Sequence, residues 1–557
     1  MTGALSPTAL ANAAHSIGPG LLAAALAVPL VMLAACLSQG LRRHMLALQW
    51  LAPLPALAAA LLSIGGAPLA FEQPALRVSL LLDTPGAMLL AVAALLWIAT
   101  SVTAFAETRG KPNAERFAVC WLLTLTGSLG VFIAADLLTF YLVYALVSIP
   151  AFGLIAHDDD AASRRAGGVY MAFTVLGETF LLMGFVLLAA GEPSGNLQIR
   201  DVMAALPASP WRDTALALVI TGFGMKIGLV PLHGWMPLAY MAAPIPAAAV
   251  LSGAAVKAGV IGLIRFLPFE AALPGWGDTL VAFGFISAFY GVAIGITQRN
   301  PEAVLAYSSI SQMGVIAATL GMGLATDDKG VALEVAFYAA HHVLVKGALF
   351  LTVGVVAVTS GRRLWLVLLM ALVLALSLGG LPLTSGALAK LAIKAPLGNG
   401  AAGTLATVSA AGTTLLMLHF LLRLARGSSQ DAQAAAPAGL VWPWLAMALA
   451  SVVIPWLLYP AIGGDIADAL TPATVLEALW PALSGAALAL GLWLWGHRLP
   501  RIPEGDIIVA GEAAFDASTA FGAAFERMDL RLRQWPAAGL SLLAVALILA
   551  AAVLFEP

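Results

Sequence analysis

Five of the seven lysines in this 557-residue chain, Lys226, Lys257, Lys346, Lys390 and Lys394, lie within or at the edge of otherwise apolar runs, whereas none of the twenty arginines is expected in a span interior. Arginine keeps its charge at any accessible pH, while a lysine taken out of water can give up its proton near neutrality. This segregation points to groups that exchange protons inside an apolar medium. Glu178 lies in the middle of MAFTVLGETFLLMGF. An unpaired carboxylate is prohibitive there, so Glu178 is expected either to be protonated or to pair with Lys226 or Lys257. Glu334, Tyr338, His342 and Lys346 are each four residues apart, which stacks them down one helical face with His341 alongside. Histidine beside lysine on such a stripe suits a hydrogen-bonded relay through water. His419 is a weaker candidate of the same kind.

The elements that hold these residues follow from composition. With 61% hydrophobic residues, 10% charged residues and a mean hydropathy of +0.96, the chain is a polytopic membrane protein rather than a soluble globule. The long apolar runs lack strand-like alternation, so helices must satisfy the backbone. Sixteen runs are long enough to span, and the fold class expected is an all-α polytopic membrane protein of about 16 transmembrane helices. Two of the runs are interrupted. In GFGMKIGLVPLHGWMPLAYM, Pro231, Gly234 and Pro237 follow Lys226; in LALSLGGLPLTSGALAKLAIKAPL, Gly379, Gly380, Pro382 and Gly386 precede Lys390 and Lys394. A break at membrane depth frees backbone carbonyls and directs half-helix dipoles at a site. His233, in the first break, either relays a proton or satisfies those carbonyls. The breaks are five spans apart, and an odd spacing reverses direction, which predicts two inverted five-helix bundles.

Against this sixteen-span topology, seventeen basic residues fall on one side and five on the other. The positive-inside rule then makes the first side cytoplasmic and places both termini outside. No basic stretch precedes the first apolar run, so that span is expected to be retained. Cys36 and Cys120 form no cluster, haem or zinc spacing, and no cofactor, metal or catalytic residue is expected. A net charge of −2 gives no reason to expect nucleic acid as a partner. Asp136 reads as a solvated helix end, and Asp158 to Asp160 as a cap for the next helix. The expected division is N-terminal helices over 1–110, half-channels over 111–270 and 271–425, C-terminal helices over 426–500, and an amphipathic surface helix with a final span over 501–557.

The stretches KIGLVPLHGWMPLAYMAAPIPAAAVLSGAAVKAG, YSSISQMG, HHVLVKGALF and GLPLTSGALAK together resemble the antiporter-like proton-translocating subunits of respiratory complex I, a family shared with Mrp antiporters and membrane-bound hydrogenases. The resemblance covers roughly residues 80 to 425. It implies two inverted half-channels joined by a hydrophilic axis. Lys226 would be the broken-helix lysine of the first half, Lys257 the bridging lysine, His342 and Lys346 the central axis and Lys390 the exit-side site. The family usually carries a glutamate five residues before a proline in the fifth span. Here that place is Ala145, before Pro150, and Glu178 on the next helix is expected to replace it. The proton pathway expected is thus Glu178, Lys226, His233, Lys257, His341, His342, Lys346, Lys390 and Lys394.

The resemblance further implies a prokaryotic inner-membrane subunit, not an enzyme on its own, set in lipid among other membrane subunits and driven by a redox or soluble partner. The other readings are a cation/proton antiporter subunit, the membrane half of an inorganic-carbon uptake complex beside a soluble zinc-containing partner, and a non-conducting scaffold.

Overall fold

Apolar runs that close their hydrogen bonds internally give helices, and the computed structural model of this protein is helical nearly throughout. It describes residues 7–73, 76–429, 431, 434–500 and 502–514, together with Glu526, Arg527 and Leu530. The chain begins with α1 (Pro7–Ala35), α2 (Gln39–Leu48) and α3 (Leu54–Leu62), a hairpin of β1 (Leu69–Gln73) and β2 (Leu76–Leu80), and α4 (Thr84–Thr108). The first set of five spans comprises α5 (Ala114–Gly130), α6 with α7 (Leu137–Ser148, Ala151–Ile155), α8 (Ala161–Ala190), then after the short α9 (Ile199–Ala205) the broken α10 and α11 (Arg212–Ile227, Trp235–Ala242), and α12 with α13 (Ile245–Val250, Lys257–Phe266). The second set comprises α14 (Pro274–Gly295), α15 (Pro301–Thr326), α16 (Val331–Ala357), the broken α17, α18 and α19 (Gly361–Gly379, Ser385–Ala392, Lys394–Leu397), and α20 (Ala401–Arg426). Then come α21 (Ala438–Leu458), α22 (Ile466–Ala469) and α23 (Pro472–Trp495). Residues 505–557 form a separate unit, in which 506–514 are helical. Most of the surface helix and all of the final span expected over 501–557 lie outside the described residues.

The protein is an integral membrane protein, with thirteen helices among the described residues long and apolar enough to cross a bilayer. The expected sixteen exceeds this because α5 has 17 residues, the break leaves α10 with 16 and α11 with 8, and 536–555 is not described. The hairpin departs from an all-α chain. Its strands pair antiparallel from Leu69↔Leu80 to Gln73↔Leu76, and it anchors a helix start. The Ser79 N–H donates to Asp136 Oδ2 at 2.9 Å and the Thr139 N–H donates to Oδ1 at 2.9 Å. Asp136 is therefore a buried pin capping α6, not a solvated end. Asp160 caps α8 as expected, in a reciprocal box with Ser163. Arg265 departs from the loop-arginine pattern. It lies in the last turn of α13 and donates to the carbonyls of Val131, Phe132 and Ala134, all beyond the end of α5. Carbonyls left unpaired at a helix end need such donors.

Over the 18-residue stretch that could cross the membrane, the span Ile245–Phe266 and helix α15 are wholly buried within the protein, and α16 is nearly so. These three are screened from lipid by the others, and they carry much of the polar stripe. Where α14 meets α15, glycines let the backbones touch. A Cβ on Gly284 would lie 2.6 Å from both Ala318 N and Gly314 O. Backbone atoms of a packed helix cannot yield, so Gly284→Val is expected to destabilise the protein by about 1–3 kcal/mol. The check is its thermal unfolding in detergent against that of Gly168→Ala, whose added methyl meets nothing within 4 Å.

Candidate functional site

Helix α10 ends because Gly228 takes a left-handed conformation, φ 71°, open to glycine without the Cβ penalty. The chain stays non-helical up to α11, where Pro237 falls in the first turn and needs no helical donor. The break thus runs from Gly228 to Gly234, three residues earlier than Pro231 to Pro237. Lys226 occupies the last turn of α10, the end whose dipole favours a cation. Its ammonium donates to Ser148 Oγ at 2.8 Å and lies 5.5 Å from the ring centre of Tyr144 and 5.9 Å from that of Tyr170. Two aromatic faces and a hydroxyl thus replace water around a buried charge. The Tyr170 hydroxyl donates to the Ser148 carbonyl at 2.8 Å, which fixes the cage. Glu178 is buried and lines the same small cavity as Lys226, Ser148 and Tyr170. The two ionisable groups face that cavity without a direct ion pair. His233 is buried in the break, 4.9 Å from the ring of Tyr290.

The centre is built on an irregularity. Between α12 and α13, residues Leu251–Ala255 form one turn of π-helix, a feature that displaces carbonyls from the α-helical ladder. The Ser252 carbonyl accepts a hydrogen bond from Lys257 Nζ at 3.2 Å. Lys257 Nζ also lies 2.6 Å from His342 Nδ1. Both side chains have 0% exposure. One turn along α16, Lys346 donates to the Leu305 carbonyl at 2.6 Å and to the Ser308 hydroxyl. Ser252 and Ser309 hydroxyls meet at 3.1 Å between these sites. The structure thus brings Lys257 of α13 together with His342 and Lys346 of α16, with Leu305 and Ser308 of α15 as acceptors. Between Lys226 and Lys257 no direct hydrogen bond is formed, although α13 touches α10 there, with a Cβ on Gly259 falling 3.1 Å from Lys226 Cβ.

The second break repeats the first. Gly380 closes α17 at φ 90°, and the Lys390 stem crosses it, since a Cβ on Gly380 would meet the lysine Cε at 2.5 Å. Gly386 lies inside α18 rather than in the break, pressed against the Ser377 carbonyl, and a Cβ there would come within 3.3 Å of His341 Nε2. His341 therefore sits beside the second broken helix, on the way from the central cluster to Lys390. Lys390 faces a cavity of about 340 Å³. Tyr338 also lines it and donates to Gln312 Oε1 at 2.6 Å, and Gln312 Nε2 donates to Thr413 at 3.0 Å. Lys394 lies apart from the axis, at the cavity's rim, paired with both carboxylate oxygens of Glu477 at 2.6 and 2.7 Å. Glu334 stands in the first turn of α16, and His419 contacts the Gln298 carbonyl at 2.9 Å, each outside the row.

The NADH:quinone oxidoreductase/Mrp antiporter transmembrane family matches residues 134–418, more than half of the chain and all of the row from Ser148 to Lys394. The chain belongs to this family. Among curated relatives it is 29% identical over 294 residues to hydrogenase-4 component B of Escherichia coli, covering 50% of this chain and 43% of that one. It is 32% identical over 303 residues to NADH-quinone oxidoreductase subunit N of Desulforudis audaxviator, covering 52% and 58%. The chain thus spans about half the length of the curated relatives it matches. In fold it resembles a chain in the structure of the Mrp complex from Dietzia sp. DQ12-45-1b, with a TM-score of 0.72 at 21% identity over 96% of this chain and 63% of that one.

Within this antiporter-like family fold, Ala145 and Ser148 are one turn apart on α6, and Ser148 is the residue that reaches Lys226. Sequence reasoning missed Ser148, the π-turn and Glu477. Ser148 had a signal in its spacing from Ala145, whereas the π-turn in LSGAA and the position of α23 had none. The Lys257–His342 contact predicts an asymmetry. Lys257→Met strands a buried imidazole nitrogen and is expected to destabilise the protein by about 1–3 kcal/mol. The double variant Lys257→Met/His342→Leu should recover most of that loss, as measured by thermal unfolding of the four cycle members in detergent.

Proposed function

We propose that this chain is a proton-translocating subunit of a multisubunit energy-converting membrane complex. The observation that carries the reading is the sealed Lys257–His342 contact with Lys346 one turn away, on helices screened from lipid. In this route Lys226 takes up a proton with Glu178 as its countercharge, and Lys257 and His342 pass it along. Lys346 and His341 carry it toward Lys390, which releases it into the cavity. His233 supports the first break, and Lys394 acts at the rim. Among the described residues, His342 Nε2 and both ring nitrogens of His341 have no hydrogen-bond partner; buried polar atoms of this kind are where ordered water completes a relay. The row consists chiefly of nitrogen bases, which bind protons, repel cations once protonated and are poor ligands for hard ions such as sodium or potassium, and this favours protons.

The half-channels extend over 111–270 and 271–425. The chain lies in a prokaryotic inner membrane with its arginine-rich loops in the cytoplasm and both termini outside. Neighbouring membrane subunits cover part of its apolar surface, and a redox or soluble partner supplies the energy.

Purified in mild detergent, the tagged chain should bring down subunits carrying iron–sulfur, nickel or flavin groups. Small membrane partners alone would instead indicate an antiporter, and a soluble zinc protein an inorganic-carbon uptake system. In the recovered assembly, Lys346→Ala is expected to lower proton translocation about tenfold or more while the driving reaction continues. Unimpaired translocation in both Lys226→Ala and Lys346→Ala would make the chain a scaffold. The relocated acid has its own test. Glu178→Gln should slow translocation about tenfold, and adding Ala145→Glu to it should restore part of the rate; a Glu178→Gln variant that pumps normally removes Glu178 from the route.

A further inference from the structure

Beyond the matched stretch 134–418, α23 brings a carboxylate to the cavity below Lys390. Glu477 is in the second turn of this helix, between the cavity-lining residues Val475 and Ala478. Its two oxygens take the Lys394 ammonium at 2.6 and 2.7 Å. The pair ties the short α19 to α23 across the rim of the cavity, and the partners are 47% and 56% exposed. Helix α23 is held in place because Gly485 packs on α20: a Cβ there would meet the Ala411 carbonyl and lie 2.6 Å from Thr414 Cβ. The carboxylate is thus presented by a docked helix, not by a loose loop. The charged groups facing it are Lys394 and, deeper in the cavity, Lys390; α22, which carries Asp465 and Asp468, adds Ala469 to the lining.

A half-exposed ion pair is weak enough to open thermally, and a two-oxygen contact is specific enough to close again in one geometry. We infer that the Lys394–Glu477 pair is a gate at the outer end of the proton route, with Glu477 as the last protein group to hold the proton. The inference rests on the proton route proposed above. Lys390 ammonium gives its proton through cavity water to the Glu477 carboxylate, leaving a neutral amine and a neutral acid. The ion pair is thereby lost and Lys394, still an ammonium, swings free, which opens the rim. Glu477 then loses the proton to outside water, and the restored carboxylate recaptures Lys394. With both carboxylate oxygens engaged by the Lys394 ammonium, the closed gate resists refilling from outside.

The test uses membrane vesicles carrying the full chain with its native partners, in a background with Cys36 and Cys120 replaced by serine. Ala410→Cys places a thiol deep in the cavity lining, and a membrane-impermeant maleimide is applied from the side of the α19–α20 turn. Glu477→Gln should speed labelling about fivefold, the factor that corresponds to a half-exposed ion pair. Glu477→Asp and the charge-exchanged Lys394→Glu/Glu477→Lys should return labelling toward the parent rate. Glu477→Gln should also make proton translocation fall more steeply as the outside is acidified. An unchanged labelling rate in Glu477→Gln overturns the gate whatever the pumping rate. Lys390→Ala is assayed in parallel. Normal translocation in that variant would sink the proton route itself, while the labelling result would still report on the pair.

Discussion

Lys257 and His342 meet at 2.6 Å with no solvent exposure, and much of the architecture can be understood as what makes that contact tolerable. At this separation one nitrogen must donate and the other accept, so the contact holds a single proton. Two positive charges so close would repel by several kcal/mol even at an effective dielectric of about 20. A lone ammonium in hydrocarbon is also costly. The fold meets this with a π-turn that aims the Ser252 carbonyl at the ammonium, with the Leu305 carbonyl and the Ser308 hydroxyl of α15 at the neighbouring lysine, and with a surround of helices that keeps lipid away from α13, α15 and α16.

The two outer lysines are solved differently, because they stand on half-helices rather than in the middle of the bundle. Each occupies the last turn of a helix segment, Lys226 just before the left-handed Gly228 that ends α10, and Lys390 on α18 beyond the break, its stem lying across the left-handed Gly380 that ends α17. Helix ends supply a favourable dipole, and the break lets the chain turn without stranding its carbonyls in lipid. Lys226 is then caged by tyrosine faces, whereas Lys390 looks onto a cavity large enough for water. The same backbone device thus yields one dry site and one wet site, a difference that gives the row a direction of accessibility.

What could be read in advance follows the range of each signal. Helices, spans and the two breaks were legible because hydropathy and the Pro and Gly punctuation act over neighbouring residues. The stripe of His342 and Lys346 was legible for the same reason, since residues four apart share a helical face. Contacts across the bundle were not. Lys226 finding Ser148 spans 78 positions, and Lys394 finding Glu477 spans 83. Spacing marks Ser148 only as a neighbour of Ala145 on one helical face, and nothing local encodes the partner of either lysine. Asp136 misled because a carboxylate at a helix start reads as solvated, and here a hairpin outside the helical pattern buries it. Arg265 misled in the same way, its carbonyl partners lying 131 to 134 positions away and its carboxylate partner Asp83 182 away.

Position 145, where the resemblance led to the expectation of a glutamate, is alanine, and the first site is arranged around that. A carboxylate on α6 would face Lys226 from the helix that now supplies Ser148; the chain instead carries Glu178 on α8, with both residues lining one cavity with the ammonium. Helix α8 packs on α10, where a Cβ on Gly177 would sit 3.5 Å from the Gly222 carbonyl, so a group on α8 is as rigidly placed as one on α6. Electrostatic countercharge depends on distance and burial, not on which helix presents the oxygen. Ser148 then fills the space with a hydroxyl, a neutral acceptor that holds the ammonium without fixing it in an ion pair. An ammonium so held can still exchange its proton, because no direct salt bridge has to break first. On the proposed route, the first half-channel is then a rearranged loading site rather than a silent one.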